Sequence, residues 1–421
     1  MIARKAYYLR KTFGTRKFSK ERLRDFQDRL LRDIVNHAYK NFSFYRSYWD
    51  GEGFKPEEFS GIEDLKRIPR IDSRDLRGSG GLLTEKMREG DASMISSGTS
   101  SREPTKIDFA EQAWDWLSAV YFRSMLVQGY RPFRNQSYYL HEGEENNPNN
   151  KGFLARWITP RDLVRKERDY REQLDRLGEL DNQYIVYFPM VLFTLAKLYL
   201  QGDPSYDISP DIILTYGENL TPEMRETIEK AFDAEIYDNY ASAEFGRIAV
   251  ECPEGNGYHV QSDSVLVEVV DEEGDEVEEG EIGEVVVTGL VNEACPLIRY
   301  NQGDIAVKGG ADRCECGTSF PRLKGIKGRK QNIVRNNEGE RILPSQIIDV
   351  LARYNDLLLF QFAESDGEYI VRYIPNTGFS EDVLEEIRQD FADELRLTLS
   401  LEEADKIERT GRQTIPVMDL D

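Results

Sequence analysis

The spacing of hydrophobic residues changes along the chain, and each spacing predicts a different element. From Ser19 to Tyr39, apolar residues return every three to four positions and so share one face of a helix. They are Leu23, Phe26, Leu30, Ile34 and Ala38. The most apolar window, Tyr184 to Leu200, contains Pro189 and Lys197 and falls short of a membrane span. We expect an amphipathic helix near the start of the chain and a buried helix in this window.

The stretch that begins at Ile212 predicts a strand, a helix and a second strand. Ile212 to Tyr216 is a short apolar run followed by glycine, which is typical of a buried strand. Thr221 can cap a helix that has proline at its first position and ends at Phe232. Glu235 to Tyr240 is the next strand. This alternation is typical of an α/β sheet.

Later segments predict a β-rich part at about residues 264–308 and a compact α/β tail that ends with a helix from Ser380 to Leu395. The predicted strands are Ser264 to Val270, Gly283 to Gly289, Leu357 to Phe362 and Tyr369 to Tyr373. The pattern as a whole predicts an α/β fold. The composition shifts at Gly328-Arg329, as it would at a hinge, so we expect a large N-terminal domain, residues 1–327, and a small C-terminal domain, residues 328–421.

Charge is unevenly distributed. The 421 residues carry a net charge of −22, which argues against general binding to nucleic acid. Residues 1–49 hold 13 Lys and Arg against four Asp and Glu, a local charge of +9 that leaves −31 on the remainder. We interpret this segment as a basic helical region docked on an acidic body, and contact with an anionic membrane is the less favoured alternative.

The cellular setting follows from cysteine use and from the first residues. Four cysteines in 421 residues are too few for a disulfide scaffold. Met1 to Lys20 has no apolar core of a signal peptide. We expect a cytoplasmic protein without a membrane span, and a homodimer is one assembly that stays open.

A loop rich in small hydroxyl residues has the composition of a phosphate-binding loop. Backbone N–H and hydroxyl groups around a glycine can surround a phosphate, and an arginine adds charge. The candidates are Ser96, Ser97, Gly98, Thr99, Ser100, Arg102 and Thr105. Runs of this kind are also common in plain loops.

Three further side chains suit a nucleotide and lie at the ends of predicted strands or turns. Glu244 can hold a magnesium ion that bridges phosphates. Tyr240 can stack on a base, and Asp304, next to Gly303, can accept hydrogen bonds from two ribose hydroxyls. Ligands of parallel α/β sheets bind at the carboxyl ends of strands, although each residue taken alone is also common in ordinary turns.

A separate set of residues has the composition of a zinc site. Cys252, His259, Cys314 and Cys316 supply three thiolates and one imidazole, which complete a tetrahedral shell without an open position. Such a site is structural. The alternative is four ordinary buried residues, because Cys-x-Cys is less specific than paired Cys-x-x-Cys. We favour zinc and leave Cys295 outside the set.

In their order and spacing, these motifs resemble those of the adenylate-forming ligases. The closest resemblance is to the phenylacetate–CoA ligase branch, including its capsule-polysaccharide-associated members, and it runs over nearly the whole chain. The motifs are the hydroxyl-rich loop, Tyr216-Gly217-Glu218, Tyr240-x-x-x-Glu244, Arg299-Tyr300-x-x-Gly303-Asp304 and Gly328-Arg329.

The resemblance implies a two-step reaction. A carboxylate attacks the α-phosphate of ATP to give an acyl-adenylate and pyrophosphate, and a thiol, usually that of CoA, then displaces AMP. The substrate is a small carboxylic acid, and the aromatic residues at Tyr138-Tyr139 and from Tyr184 to Phe193 favour an aromatic or otherwise apolar one.

The resemblance also implies a role for each candidate. The hydroxyl-rich loop holds the β/γ-phosphates, and residues 328–421 swing as a mobile domain. The remaining assignments are Gly217 and Glu218 to the adenine pocket, Tyr240 to stacking on adenine, Glu244 to magnesium, Asp304 to the ribose, and Arg329 to the ribose or phosphates.

Three positions depart from the family pattern. The phosphate loop reads Ser101-Arg102-Glu103-Pro104, one residue longer than usual, and Ala243 stands where the family often has Thr or Ser before the magnesium Glu. Arg412 occupies the place of the Lys that contacts the reacting carboxylate and the α-phosphate. Arginine keeps the charge but is a planar fork rather than a compact point. We expect a working but altered adenylation step.

Other functions stay open at this point. The acceptor can be a sugar amine instead of CoA, or the reaction can stop at the adenylate, as in relatives acting on a deazaflavin coenzyme. Ala243 and Arg412 favour a nucleotide-binding protein without catalysis, whereas intact Glu244, Asp304 and Arg329 argue against it. A zinc-ribbon module that binds nucleic acid is disfavoured by the net charge of −22.

Overall fold

A computed structural model of the chain describes residues 2–78, 92–95, 106–131, 137–139, 162–163, 170–178, 184–202, 208–365, 367–407 and 417–419. Its α-helices are Ile2–Thr15, Lys20–Asn41, Ser43–Glu52, Ser73–Gly78, Glu111–Val127, Tyr170–Gly178, Pro189–Gln201, Pro222–Phe232, Pro344–Ala352 and Asp382–Asp390. Short 3₁₀ turns occupy Pro56–Glu58, Ile62–Arg67 and Lys330–Asn332. None of the described helices is long and apolar enough to cross a membrane.

The strands alternate with these helices and confirm the α/β fold class. They are β1 (Ala92–Ile95), β2 (Lys106–Phe109), β3 (Ser137–Tyr139), β4 (Asp162–Leu163), β5 (Tyr184–Tyr187), β6 (Ile212–Tyr216), β7 (Glu235–Ser242), β8 (Gly246–Glu251), β9 (Tyr258–Val260), β10 (Val265–Val270), β11 (Ile282–Gly289), β12 (Tyr300–Lys308), β13 (Arg322–Arg329), β14 (Val334–Arg335), β15 (Arg341–Ile342), β16 (Leu357–Ser365), β17 (Glu368–Pro375), β18 (Leu399–Glu403) and β19 (Val417–Asp419).

The described residues form two compact units. The first contains those of Met1–Ser97, Glu103–Gly129 and Asn239–Ile326, and the second contains those of Tyr130–Asp238 and Lys327–Asp421. The domain boundary expected after residue 327 stays a prediction.

The first unit combines the N-terminal helices with an antiparallel sheet. Its strands follow the order β10-β11-β12-β13-β9-β8-β7. The strands predicted at 264–270 and 283–289 are confirmed as β10 and β11, which pair antiparallel. The amphipathic helix is confirmed as Lys20–Asn41. Ser19 caps it by accepting from the Arg22 N–H, and Leu23, Ile34 and Ala38 are buried while Phe26 and Leu30 are half-buried.

The second unit contains the parallel strands. The order is β6-β5-β3-β4, and β5 pairs in parallel with both β6 and β3. Residues 235–238 of β7, the strand next to β6, belong to this unit, and its later residues belong to the first. The predicted strand, helix and strand are confirmed as β6, Pro222–Phe232 and β7, with the Thr221 hydroxyl accepting from the Met224 N–H at 3.3 Å. A four-stranded sheet, ordered β18-β17-β16-β19, belongs to the same unit.

The continuous helix expected from Tyr184 to Leu200 is only partly correct. Tyr184–Tyr187 is β5, and the helix begins at Pro189. The cause is local, because proline disfavours the helical conformation in the residue before it. Phe188 accordingly is extended, with ψ 138°. Similarly, the helix expected from Ser380 to Leu395 ends at Asp390 and continues as a π turn, Phe391–Leu395.

A buried lysine lies inside the second unit. Lys197 is 2% exposed, and its Nζ donates to the carbonyl oxygens of Tyr354 at 3.0 Å and Leu357 at 2.7 Å. It also lies 4.0 Å from the Phe193 ring centroid. Burial lowers the pKa of Lys197 to about 7, because removing the ammonium from water disfavours its charged form.

This shift predicts a pH dependence of stability that the Lys197→Met variant removes. Above pH 7 the folded state releases the Lys197 proton, whereas an unfolded lysine keeps it up to a pKa of about 10.4. The unfolded state then binds more protons, so the free energy of unfolding contributed by Lys197 rises with pH. In urea titrations between pH 7 and 10, we expect the free energy of unfolding of the wild type to rise relative to that of Lys197→Met.

The exposed Lys230 offers a matched control in a neighbouring helix. The difference in free energy of unfolding between wild type and Lys230→Met should stay constant over the same pH range. A constant difference for Lys197→Met as well would contradict the assignment.

Candidate functional site

A hydrogen-bonded pair in the first unit joins two of the predicted nucleotide residues. The Tyr240 hydroxyl, on β7, donates to Asp304 Oδ2, on β12, at 2.7 Å. Gln302 Nε2 donates to the same hydroxyl at 2.9 Å. Tyr240 and Asp304 are each 8% exposed. Gln302 was not among the predicted residues, although its place inside the Arg-Tyr-x-x-Gly-Asp motif could have suggested it.

An irregularity in β12 places these side chains. Glu284 of β11 pairs with Ile305, and Val286 pairs with Asn301. A step of two positions along β11 therefore matches a step of four positions along β12. The extra residues form a bulge, which bends a strand and redirects its side chains. Gly303 has φ 77°, a left-handed conformation that suits glycine, and its N–H donates to Asn301 Oδ1 at 2.8 Å. The glycine of the motif is therefore needed to present Asp304.

The arginine of the same motif, Arg299, has a structural role. Arg299 is 4% exposed and has φ 49°. Its Nη2 lies 2.9 Å from Glu268 Oε1, and its Nη1 donates to the carbonyl oxygens of Lys66 and Ile68. Burial raises the pKa of the Glu268 carboxyl, although the charge of Arg299 opposes that rise. Arg299 thus connects the start of β12 to β10 and to the end of the 3₁₀ turn Ile62–Arg67.

Glu244, the predicted magnesium ligand, lies in the tight turn that joins β7 to β8. Ser242 pairs with Gly246 across this turn, and Glu244 is half-buried. Phe245, 3% exposed, anchors the turn, with its ring 6.1 Å from that of Tyr300. The carboxylate therefore follows an antiparallel hairpin strand rather than a strand that leads into a helix.

The second unit holds the Tyr-Gly-Glu loop at the end of β6. Gly217 has φ 80°, which suits glycine. Glu218 Oε2 accepts from the Met190 backbone N–H at 3.1 Å, at the start of the helix Pro189–Gln201. Such a contact satisfies one of the N–H groups left unpaired at a helix N-terminus, where a negative charge is also favoured.

The predicted hinge packs on the same loop. Gly328 has φ 108°, and a Cβ at this position would lie 2.9 Å from Pro344 side-chain atoms and 3.2 Å from Asn219 Nδ2. Only glycine fits without displacing these atoms. Arg329 is the last residue of β13 and precedes the turn Lys330–Asn332. The structure thus places Gly328 against Asn219, the residue that follows Glu218, within one unit.

Some predicted residues lie outside the described part of the chain. They are Ser96, Ser97, Gly98, Thr99, Ser100, Arg102, Thr105 and Arg412.

The four predicted zinc ligands come together in the first unit. The donor atoms of Cys252, His259, Cys314 and Cys316 all lie within 4.8 Å of one another. The Sγ atoms of Cys252 and Cys314 are 3.6 Å apart, and Cys316 Sγ is 3.3 Å from His259 Nε2. Ligands at tetrahedral zinc distances are separated by roughly 3.3–3.8 Å, so the donor set fits.

The surroundings of His259 also suit a metal ligand. His259 Nδ1 is 2.9 Å from the carbonyl oxygen of Phe320, which orients the ring and leaves Nε2 directed at the thiols. Burial lowers the pKa of His259 to about 4, so the imidazole is neutral at pH 7, as metal binding requires. Burial also raises the pKa of the Cys252 thiol, which the positive charge of a metal would offset.

The chain is similar in sequence to curated proteins over about four fifths of its length. No family model matches it. The chain is 29% identical over 345 residues to phenylacetate-coenzyme A ligase of Thermus thermophilus, which covers 79% of this chain and 76% of that protein. It is 21% identical over 383 residues to the protein CapK of Staphylococcus aureus, covering 87% and 82%.

The fold is similar to that of solved ligases. The structure of 2-hydroxyisobutyryl-CoA ligase in the postadenylation state superposes with a TM-score of 0.80 at 20% identity, covering 96% of this chain and 91% of that one. The relatives in sequence and the similarity in fold agree with the ordered motifs. By sequence and by fold, the chain is therefore similar to the adenylate-forming ligases, and the relatives in sequence are of their phenylacetate–CoA ligase-like branch.

Proposed function

We propose that this protein is an acid–CoA ligase. It joins a carboxylic acid to ATP as an acyl-adenylate with release of pyrophosphate, and then transfers the acyl group to the CoA thiol with release of AMP. The observation that carries the proposal is the bulge of β12, which presents the Asp304 carboxylate beside Tyr240. Similarity to phenylacetate-coenzyme A ligases over about four fifths of the chain supports the same reaction.

The residues would act on the nucleotide mainly by positioning it. Asp304 would accept hydrogen bonds from the ribose hydroxyls while the Tyr240 ring packs on adenine, with its hydroxyl held by Asp304. Glu244 would hold a magnesium ion, which neutralises charge on the phosphates when bound. Such a transfer depends on alignment and electrostatic stabilisation more than on a protein base.

Other parts of the proposal rest on the motifs. The loop Ser96 to Thr105 would bind the β/γ-phosphates, and Arg412 would contact the reacting groups. Residues 328–421 would rotate about Gly328 and Arg329 between the two steps, and the positive φ of Gly328 supports a pivot there. An aromatic or otherwise apolar acid is the proposed substrate class, and the cytoplasm is the proposed location.

The reaction is tested by following AMP and thioester formation. With ATP, magnesium chloride, CoA and an acid panel that includes phenylacetate, we expect AMP and an acyl-CoA in equal amounts for one acid class. AMP that forms only with an amine acceptor would contradict the CoA step but retain adenylation. Nucleotide binding without AMP formation for any acid would contradict the proposal.

We also propose that Cys252, His259, Cys314 and Cys316 bind a structural zinc ion. Four protein ligands leave no open position for catalysis, so the metal would stabilise the first unit. Protein purified without chelator should contain about one zinc per chain by elemental analysis. Cys316→Ser should lose the metal and unfold at a lower temperature, because structural zinc contributes directly to folding free energy.

Cys295→Ala is the matched control for this prediction. Cys295 is buried but lies outside the metal cluster, so its variant should keep the zinc. Less than half an equivalent of zinc in the wild type would contradict the proposed site.

A further inference from the structure

A groove lies between the first two helices, Ile2–Thr15 and Lys20–Asn41, in the first unit. Its volume is about 620 Å³, which is within the range of ligand-binding pockets. Aromatic rings form part of its lining, from Tyr7, Phe18 and Phe26. Phe18 and Phe26 are half-buried and Tyr7 is 58% exposed, so the groove offers apolar surface to a ligand.

Four cations share this groove with the aromatic rings. Arg10, Lys11, Arg22 and Arg29 line it, and Asp25 is the acidic residue in the lining. None of the four cations forms an ion pair with a carboxylate within the part of the chain that the structure describes. All four are exposed. Their charge is therefore not neutralised by the protein.

Three of these cations contact aromatic rings, of which two lie in the groove and the third, that of Trp116, lies beside it. Arg22 Cζ lies 4.1 Å from the Phe18 ring centroid, Arg29 Cζ lies 5.4 Å from that of Phe26, and Lys11 Nζ lies 5.0 Å from that of Trp116. Cation–π contact orients a guanidinium without using its N–H donors. These donors stay available to an anion.

We propose that this groove binds a phosphate-bearing amphiphile. The phosphate would accept hydrogen bonds from Arg22 and Arg29, since guanidinium groups match phosphate oxygens in a bidentate manner. An acyl or aromatic portion would pack on the exposed rings. The groove lies in the basic part of the chain, because residues 1–49 carry a net charge of +9 and residues 50–421 carry −31. The inference is independent of the proposed ligase reaction.

The probe for this site is dihexanoyl phosphatidic acid, which is soluble as a monomer, titrated by calorimetry at low salt. We expect the Arg22→Gln/Arg29→Gln variant to bind it at least 10-fold more weakly than wild type. Dihexanoyl phosphatidylcholine, which has a zwitterionic headgroup, should bind more weakly to wild type than phosphatidic acid does.

Arg24→Gln/Arg32→Gln is the matched control on the same helix. Arg24 pairs with Glu63, and Arg32 donates to the Ser60 carbonyl oxygen at 2.8 Å, so both lie outside the groove. This variant loses the same charge and should stay within about twofold of wild type. No binding of phosphatidic acid, or equal weakening in both double variants, would overturn the proposal.

Vesicle sedimentation separates two sources of the ligand. Binding to phosphatidylglycerol vesicles that the Arg22→Gln/Arg29→Gln variant loses would support a membrane lipid as the ligand. Binding of the soluble probe without binding to vesicles would support a soluble phosphate ester.

Discussion

Replacing Asp304 with alanine is expected to lower kcat/KM for ATP by about 100-fold. The carboxylate would make two charge-assisted hydrogen bonds to the ribose, each worth about 1.5–3 kcal/mol, and solvent recovers part of this loss. The variant also leaves the Tyr240 hydroxyl without the acceptor that it contacts at 2.7 Å. The rate of ATP–pyrophosphate exchange, measured against ATP concentration with an acid that the wild type activates, gives the change.

Graded variants separate the ribose contact from a general loss of structure. Asp304→Asn keeps the side-chain volume and should lose less than Asp304→Ala. Tyr240→Phe keeps the ring but removes the hydroxyl, so we expect a loss below 10-fold. Asp312 is exposed, and Asp312→Ala should leave the exchange rate unchanged. An Asp304→Ala enzyme with an unchanged KM for ATP and an unchanged kcat would contradict the assignment.

Replacing Asp263 with alanine is expected to reduce the free energy of unfolding by about 3–5 kcal/mol, because it leaves the charge of Arg123 buried without a counter-ion. Arg123 and Asp263 are 1% and 0% exposed, and Arg123 Nη2 donates to Asp263 Oδ1 at 3.1 Å. Arg123 also donates to the Thr12 carbonyl oxygen, and Thr15 donates to Asp263. Urea denaturation of wild type and of Asp263→Ala measures this decrease in the free energy of unfolding.

An exposed ion pair provides the comparison. Arg24 and Glu63 are 50% and 78% exposed at their side chains, so Glu63→Ala should cost less than about 1 kcal/mol. The Arg123→Met/Asp263→Ala variant should be less destabilised than the sum of its single variants, since neither charge is then left alone. Equal costs for Asp263→Ala and Glu63→Ala would contradict the role of the buried pair.

Where one residue type decides the local backbone, the sequence predicted the structure well. Thr221 and Pro222 determine the start of a helix, and the hydrophobic face of Lys20–Asn41 follows from its spacing. The missed boundary at Phe188 had a local signal too, because the following Pro189 disfavours a helical conformation there. Apolar spacing alone could not separate β5 from the helix after it.

Contacts between residues far apart in the chain were harder to predict from the sequence. Arg123 and Asp263 are 140 residues apart, and neither belongs to a recognisable motif. In the candidate site, the motif identified Asp304 and Tyr240 but not Gln302 or the contact between the two, because the bulge in β12 depends on its pairing with β11. The meeting of Cys252, His259, Cys314 and Cys316 was predictable because these residue types are rare and chemically specific, and a bound zinc ion stays a prediction.

Adenylation by this protein is tested most directly by carboxylate-dependent ATP–pyrophosphate exchange across a panel of aromatic and aliphatic acids, with the Asp304→Ala variant as control. We expect exchange with one class of acid, no exchange without acid, and a rate about 100-fold lower in the variant. Failure of every acid to support exchange, in a folded sample that binds ATP, would contradict adenylation and leave a nucleotide-binding protein.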